Sequence, residues 1–73
     1  MLEIIKKLSE RIPEEVSDAW FYSELAEEVE ETHPHVAQTL RQISAQEIEH
    51  MNKLHASVVA LINQHEEQEE EDS

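Results

Sequence analysis

Residues 27–35 read EEVEETHPH, and the reading of this stretch decides the fold. Pro34 disfavours the α region at His33. Lacking an N–H, it also suits the first turn of a helix that starts there. Thr32 or His33 can cap that helix. The interruption spans only a few residues, and a long helical periodicity lies on each side. A short connection between two long helices makes them antiparallel neighbours. The chain has no glycine, and its only other proline is Pro13. Strands joined by tight turns normally draw on both residues, so an all-α hairpin is expected.

Upstream of the turn, residues 2–12 read LEIIKKLSERI, with apolar side chains at Leu2, Ile5, Leu8 and Ile12. This is helical spacing. Pro13 would then open a new helix, with Glu14 and Glu15 favoured at its positive end. The expected organisation is a short amphipathic helix within residues 1–12, a kink or break, and a first long helix over about 13–31. Its inward stripe would be Glu15, Asp18, Tyr22, Ala26 and Val29. Downstream, the second long helix is expected over about 34–65, and residues 66–73, EEQEEEDS, as a disordered acidic tail. The second helix outruns the first by about ten residues. The N-terminal segment is expected to cover Leu54 to Ile62, or else a neighbouring chain would, with Val59 facing it.

Composition narrows the function. The 73 residues carry 18 acids against five Lys and Arg, a formal charge of −13. Nucleic-acid phosphates and anionic membrane surfaces would be repelled. No apolar run approaches the roughly 20 residues of a membrane span. The N-terminus lacks a signal-peptide pattern, and a cytoplasmic location is expected. A chain this short usually needs disulfides, a metal or a partner chain. It contains no cysteine. Metal binding, self-association or both remain, and the partner is expected to be at least one more copy of the chain.

The second helix carries the main clue. Its inner stripe reads Val36, Leu40, Ile43, Glu47, His50, Met51, Leu54, Val58, Leu61 and Ile62. Two ionisable groups interrupt an otherwise apolar face. A buried carboxylate is costly unless it is paired or bound to a cation. Residues three apart on a helix share a face, so Glu47 and His50 can converge on one ion. Iron, manganese and zinc all accept that donor pair. The Glu-x-x-His pattern recurs at Glu30 and His33, but there Pro34 breaks the helical geometry.

At 1.5 Å per residue, Glu15 and His50 each lie about 26 Å from the turn. Glu15 should therefore stand level with Glu47 and His50 across the hairpin, while Glu24 stands level with Arg41 as a surface acid. Asp18, one turn nearer the loop, is a further candidate ligand or supporting group. Tyr22 can donate a hydrogen bond to a ligand carboxylate. Two hairpins together would offer four carboxylates and two histidines. That is the ligand set of ferritin-like di-iron bundles: a Glu from each of two helices and Glu-x-x-His from each of the other two.

The stretch from Glu15 to His50 resembles the ferritin-like superfamily, especially rubrerythrins and the short encapsulated ferritins. Its first part, Glu15-Val-Ser-Asp-Ala-Trp-Phe-Tyr22, is similar to the family's first metal-binding helix, in which a tyrosine follows a ligand glutamate by seven residues. Ala26 takes a small packing position beyond it. Ile43-Ser-Ala-Gln-Glu47-Ile-Glu-His50 is similar to the Glu-x-x-His helix. The resemblance implies a homodimeric four-helix bundle with a di-iron carboxylate centre that oxidises Fe(II) with oxygen or peroxide. Classical members carry four helices in one chain, and rubrerythrins add a cysteine-rich rubredoxin segment. Neither occurs in these 73 residues, and no encapsulin-targeting pattern follows the second helix. Two alternatives stand beside this expectation. One is a non-catalytic, self-associating helical module with an acidic docking surface. The other is a structural zinc or manganese site at the same place.

Overall fold

The computed structural model describes the backbone of residues 1–72 and the side chains of residues 1–68. It is an antiparallel hairpin of two helices, α1 (Leu2–Val29) and α2 (Pro34–Asp72). The connection is as short as expected. The His33 N–H donates to the Val29 carbonyl at 2.7 Å, and the Ala37 N–H donates to the His33 carbonyl at 3.0 Å. His33 thus hands the hydrogen-bond ladder from one helix to the next. The Thr32 hydroxyl reaches back to the Val29 carbonyl at 3.5 Å, so it closes α1 rather than capping α2. Across the turn, Arg41 pairs with Glu30 at 3.0 Å, where Glu24 had been expected opposite it.

The break at Pro13 does not occur: α1 is one helix with Pro13 in its interior. Pro13 removes one backbone hydrogen bond. However, Ile5, Leu8 and Ile12 continue the same inward phase as the residues after it, so packing holds the helix together. Expectation and structure also part at the other end, where the acidic run stays helical to Asp72. Glutamate and glutamine are good helix formers and need no tertiary support to extend an existing helix. Ser73 lies outside the described residues.

The contact between the helices follows a strict alternation of three and four. On α1 the contact stripe runs through Ile5, Leu8, Ile12, Glu15, Ala19, Tyr22, Ala26 and Val29, with Ser9, Val16 and Leu25 also half-buried beside it. On α2 it runs through Ala37, Leu40, Ser44, Glu47, Met51, Leu54, Val58, Leu61 and His65, with Ile43 also half-buried beside it. This is a seven-residue coiled-coil period. Two expected stripes are corrected by it. Ala19, not the exposed Asp18, belongs to the α1 seam. On α2 the centre shifts from Val36 and Ile43 to Ala37 and Ser44, leaving Val36 at 49% and Ile62 at 40% exposed. Two helices with nothing else to pack against approach through their smallest side chains. Ala26 and Ala37 are fully buried, and the Ser44 hydroxyl donates to the Ala19 carbonyl across the seam at 2.7 Å.

The N-terminal half of α1 lies along Leu54 to Leu61 of α2. Val58 is buried and Leu54 and Leu61 half-buried, while Val59 stays 43% exposed. The hairpin measures 63 × 14 × 11 Å, with a radius of gyration of 17.5 Å. A globule of this length would have a radius of about 11 Å. A rod one helix thick cannot bury large side chains by itself. Trp20, Phe21 and Ile48 are accordingly 66%, 59% and 47% exposed. On one side of the rod Val16, Ala19, Trp20, Ser44, Ile48 and Met51 line an apolar groove of about 250 Å³. No helix among the described residues is long and apolar enough to cross a membrane.

Candidate metal centre

Two seam positions do not follow the apolar pattern near mid-rod, Glu15 on α1 and Glu47 on α2. Both fall in phase with the alanines, so their carboxylates project into the contact between the helices. Glu15 is 7% exposed and Glu47 half-buried. His50, one turn after Glu47, lies at the edge of the seam with its side chain 56% exposed. One donor atom from each of Glu15, Glu47 and His50 falls within 4.8 Å of the other two. The level estimate from helical rise thus placed Glu15 opposite the Glu-x-x-His pair, and the structure brings these three together.

The electrostatics of this trio are strained without a cation. Glu15 Oε2 is buried and has no hydrogen-bond partner. The nearest complementary group is His50 Nδ1 at 3.6 Å, too long for a hydrogen bond. Two facing carboxylates can hydrogen-bond only by sharing a proton. The Glu15 carboxyl is held below its ordinary value, first by the facing carboxyl of Glu47. The Arg11 guanidinium and His50 act in the same direction, and burial acts against them. Glu47 is pushed up by the facing carboxyl of Glu15, by burial and by the charge of Glu15, with Asp18 adding and His50 opposing. A divalent cation would balance the two facing carboxylates and satisfy the orphaned oxygen. The donor set, two carboxylates and an imidazole, suits iron, manganese or zinc.

Asp18 and Tyr22 are not brought into the trio. Asp18 is exposed and acts on Glu47 only through its charge. Tyr22 is half-buried and meets Phe21 edge to face at 5.3 Å. Among the described residues its hydroxyl donates to no ligand carboxylate. Within one chain the expected hydrogen-bonding role of Tyr22 is therefore not realised.

One residue escaped the sequence reading. Arg11 donates through Nη2 to Glu15 Oε1 at 2.9 Å, and its Nη1 is held by Glu14. The signal was present as the four-residue spacing from Arg11 to Glu15, which puts both on one face. Arg11, Glu15, His50, Lys53, Leu54 and Ser57 line an open cavity of about 300 Å³ on the side of the rod opposite the apolar groove.

A long helical hairpin with a Glu, Glu, His cluster in its seam defines a ferritin-like two-helix module with a site capable of holding a metal ion. Comparison with known families carries this further. The family model for rubrerythrin matches residues 6–73, nearly the whole chain. The chain belongs to the rubrerythrin family. No curated protein and no solved structure matches it significantly.

Proposed function

We propose that the hairpin is half of a di-iron carboxylate protein: two copies pack their Glu15, Glu47 and His50 faces together and hold iron between them. The observation that carries this reading is Glu15 Oε2, a carboxylate oxygen buried in a helix seam with no donor, beside a second carboxylate and an imidazole. One hairpin supplies three ligands, which leaves a metal partly coordinated. A two-fold mate would supply three more, completing four carboxylates and two histidines around two ions. Apolar side chains flank the cluster on the same side of α2. Ile43 lies one turn before Glu47 and Leu54 one turn after His50, both half-buried. A facing copy would cover them, forming the four-helix bundle that a thin rod cannot form alone.

Iron held there would supply the electrons for reducing oxygen or peroxide, passing from Fe(II) to Fe(III). The chain's own residues set the terms. Glu15 and Glu47 would neutralise the added charge of a bound cation. His50 offers a neutral nitrogen from the more open edge of the seam, and the leucine and isoleucine around the cluster limit water. A reducing compartment such as the cytoplasm, which would keep iron as Fe(II), is the location we assign.

The test is anaerobic Fe(II) titration of metal-free protein, with the mass in solution measured before and after. Two irons per dimer are expected, with dimer mass favoured by metal. Glu47→Ala should lose the iron while keeping its helix content. Retention of no iron by the unaltered chain would end the reading. Aerobic iron addition then separates an oxidising centre, which develops ferric absorbance, from a structural zinc or manganese site, which does not. A non-catalytic self-associating module predicts instead that a chelator changes neither mass nor melting temperature.

A further inference from the structure

We infer that Arg11 is a positioning residue for this centre: by holding one oxygen of Glu15 it leaves only the other, buried oxygen free to meet a cation. The inference rests on the metal-binding reading above. It concerns how Glu15 is presented, which that reading leaves open.

The geometry is specific. Glu15 Oε1 accepts from Arg11 Nη2 at 2.9 Å. The second arm of the guanidinium is engaged by Glu14, so the fork is fixed at two points within one turn of its own helix. It needs nothing from α2 and nothing from a second copy. Glu15 Oε2, by contrast, has no partner and lies on the side of His50 Nδ1. A glutamate terminus rotates freely through a broad, two-fold torsion. Left alone, Glu15 would present either oxygen, or both at once. The Arg11 contact limits that freedom: with Nη1 engaged by Glu14, Nη2 is fixed in place and holds one oxygen of Glu15, leaving the other toward His50. A cation entering the cluster meets Oε2 without displacing Arg11, and Glu15 then donates through one oxygen instead of chelating through two. Groups that orient a ligand in this way typically tune metal affinity 10- to 100-fold.

The opposite arrangement is that Arg11 merely stands in for the metal and must leave when it arrives. The two differ in sign. If Arg11 competes, removing it tightens binding; if it positions Glu15, removing it weakens binding.

The experiment is a calorimetric titration of Mn(II) into the metal-free full chain, a probe that reads binding without oxidation chemistry. It compares the unaltered chain with Arg11→Ala, Arg11→Lys and Arg41→Ala. Arg41, paired with Glu30 by the turn, controls for loss of a cation far from the cluster. Arg11→Ala is expected to bind about 10- to 100-fold more weakly. Arg11→Lys, which keeps the charge but not the fork, should fall with it, and Arg41→Ala should match the unaltered chain. Visible spectra of Co(II)-loaded protein add a readout that stability does not move. The Arg11 variants should show weaker bands, as Glu15 chelates and coordination number rises. Arg11→Ala binding as tightly as the unaltered chain, or more tightly, overturns the inference, as does full rescue by Arg11→Lys. If Arg11→Ala does not fold, Arg11→Lys with its Co(II) spectrum decides alone. An unaltered chain that takes up no Mn(II) or Co(II) would instead remove the metal centre itself, and this inference with it.

Discussion

Replacing Ala26 with leucine tests how closely the two helices are held. Ala26 is fully buried, and it lies seven residues beyond Ala19, whose carbonyl accepts from Ser44. By the same register it faces the equally buried Ala37, seven residues before Ser44. No space is available there for the three carbons that leucine adds. Overpacking of a tight contact costs about 1–3 kcal/mol. A chain this small loses about 4–8 °C of melting temperature per kcal/mol. Ala26→Leu should therefore melt on the order of 10 °C lower, taking the middle of both ranges. The assay is circular dichroism on heating, in excess chelator and at one fixed protein concentration, so that neither metal nor association contributes. Ala60→Leu, on the exposed surface of α2, is the control and should change little. The wedge also has a functional readout. Forcing the axes apart separates Glu15 from Glu47, so Mn(II) affinity should fall together with stability. An Ala26→Leu protein as stable as the unaltered chain would refute the close-packed seam, and with it the convergence of the two carboxylates.

Two further outcomes follow from the same geometry. The metal-free chain should be most stable in mildly acidic solution. Glu47, raised in the fold, contributes stability that is lost as pH rises through its raised value, and Glu15, lowered, contributes stability that is lost as pH falls through its lowered value. Thermal melts across pH, with and without Glu47→Gln, check this: the substitution should flatten the alkaline limb, and an unchanged limb would assign it to other groups. Pro13→Ala should raise stability by up to about 3 kcal/mol, because it restores a helical hydrogen bond at an exposed position. A drop in the urea midpoint instead would mean that Pro13 serves the fold.

The hairpin was legible because Pro34 is the one punctuation mark between two long periodic runs, and the site was legible because helical rise is constant enough to match Glu15 with His50 over 26 Å, roughly five turns. Pro13 misled for a physical reason. Local chemistry favours a helix start there, but Ile5, Leu8 and Ile12 share one packing phase with Ala19 and Ala26, and tertiary contact outweighs one missing hydrogen bond. On α2 the expected stripe held at Leu40, Glu47, Met51, Leu54, Val58 and Leu61, but at Val36, Ile43 and Ile62 large apolar residues were taken as the core where the seam runs one or three positions further on. In a two-helix rod the deepest positions instead belong to alanine and serine, and Val36 and Ile62 fall to the flanks. Arg11 was passed over because a surface arginine is unremarkable until its partner proves buried.

The unbroken alternation of three and four along both helices has one more consequence. A single residue inserted into either helix between the turn and the cluster would swing everything beyond it by about 100° around the axis, sending Glu15 or Glu47 out to solvent. Excising one full period from each free arm, residues 2–8 with 59–65, would keep every remaining side chain in phase and shorten the rod by roughly 10 Å. The rod is thus adjustable only in units of seven residues taken from both helices together, whichever side of the cluster they come from.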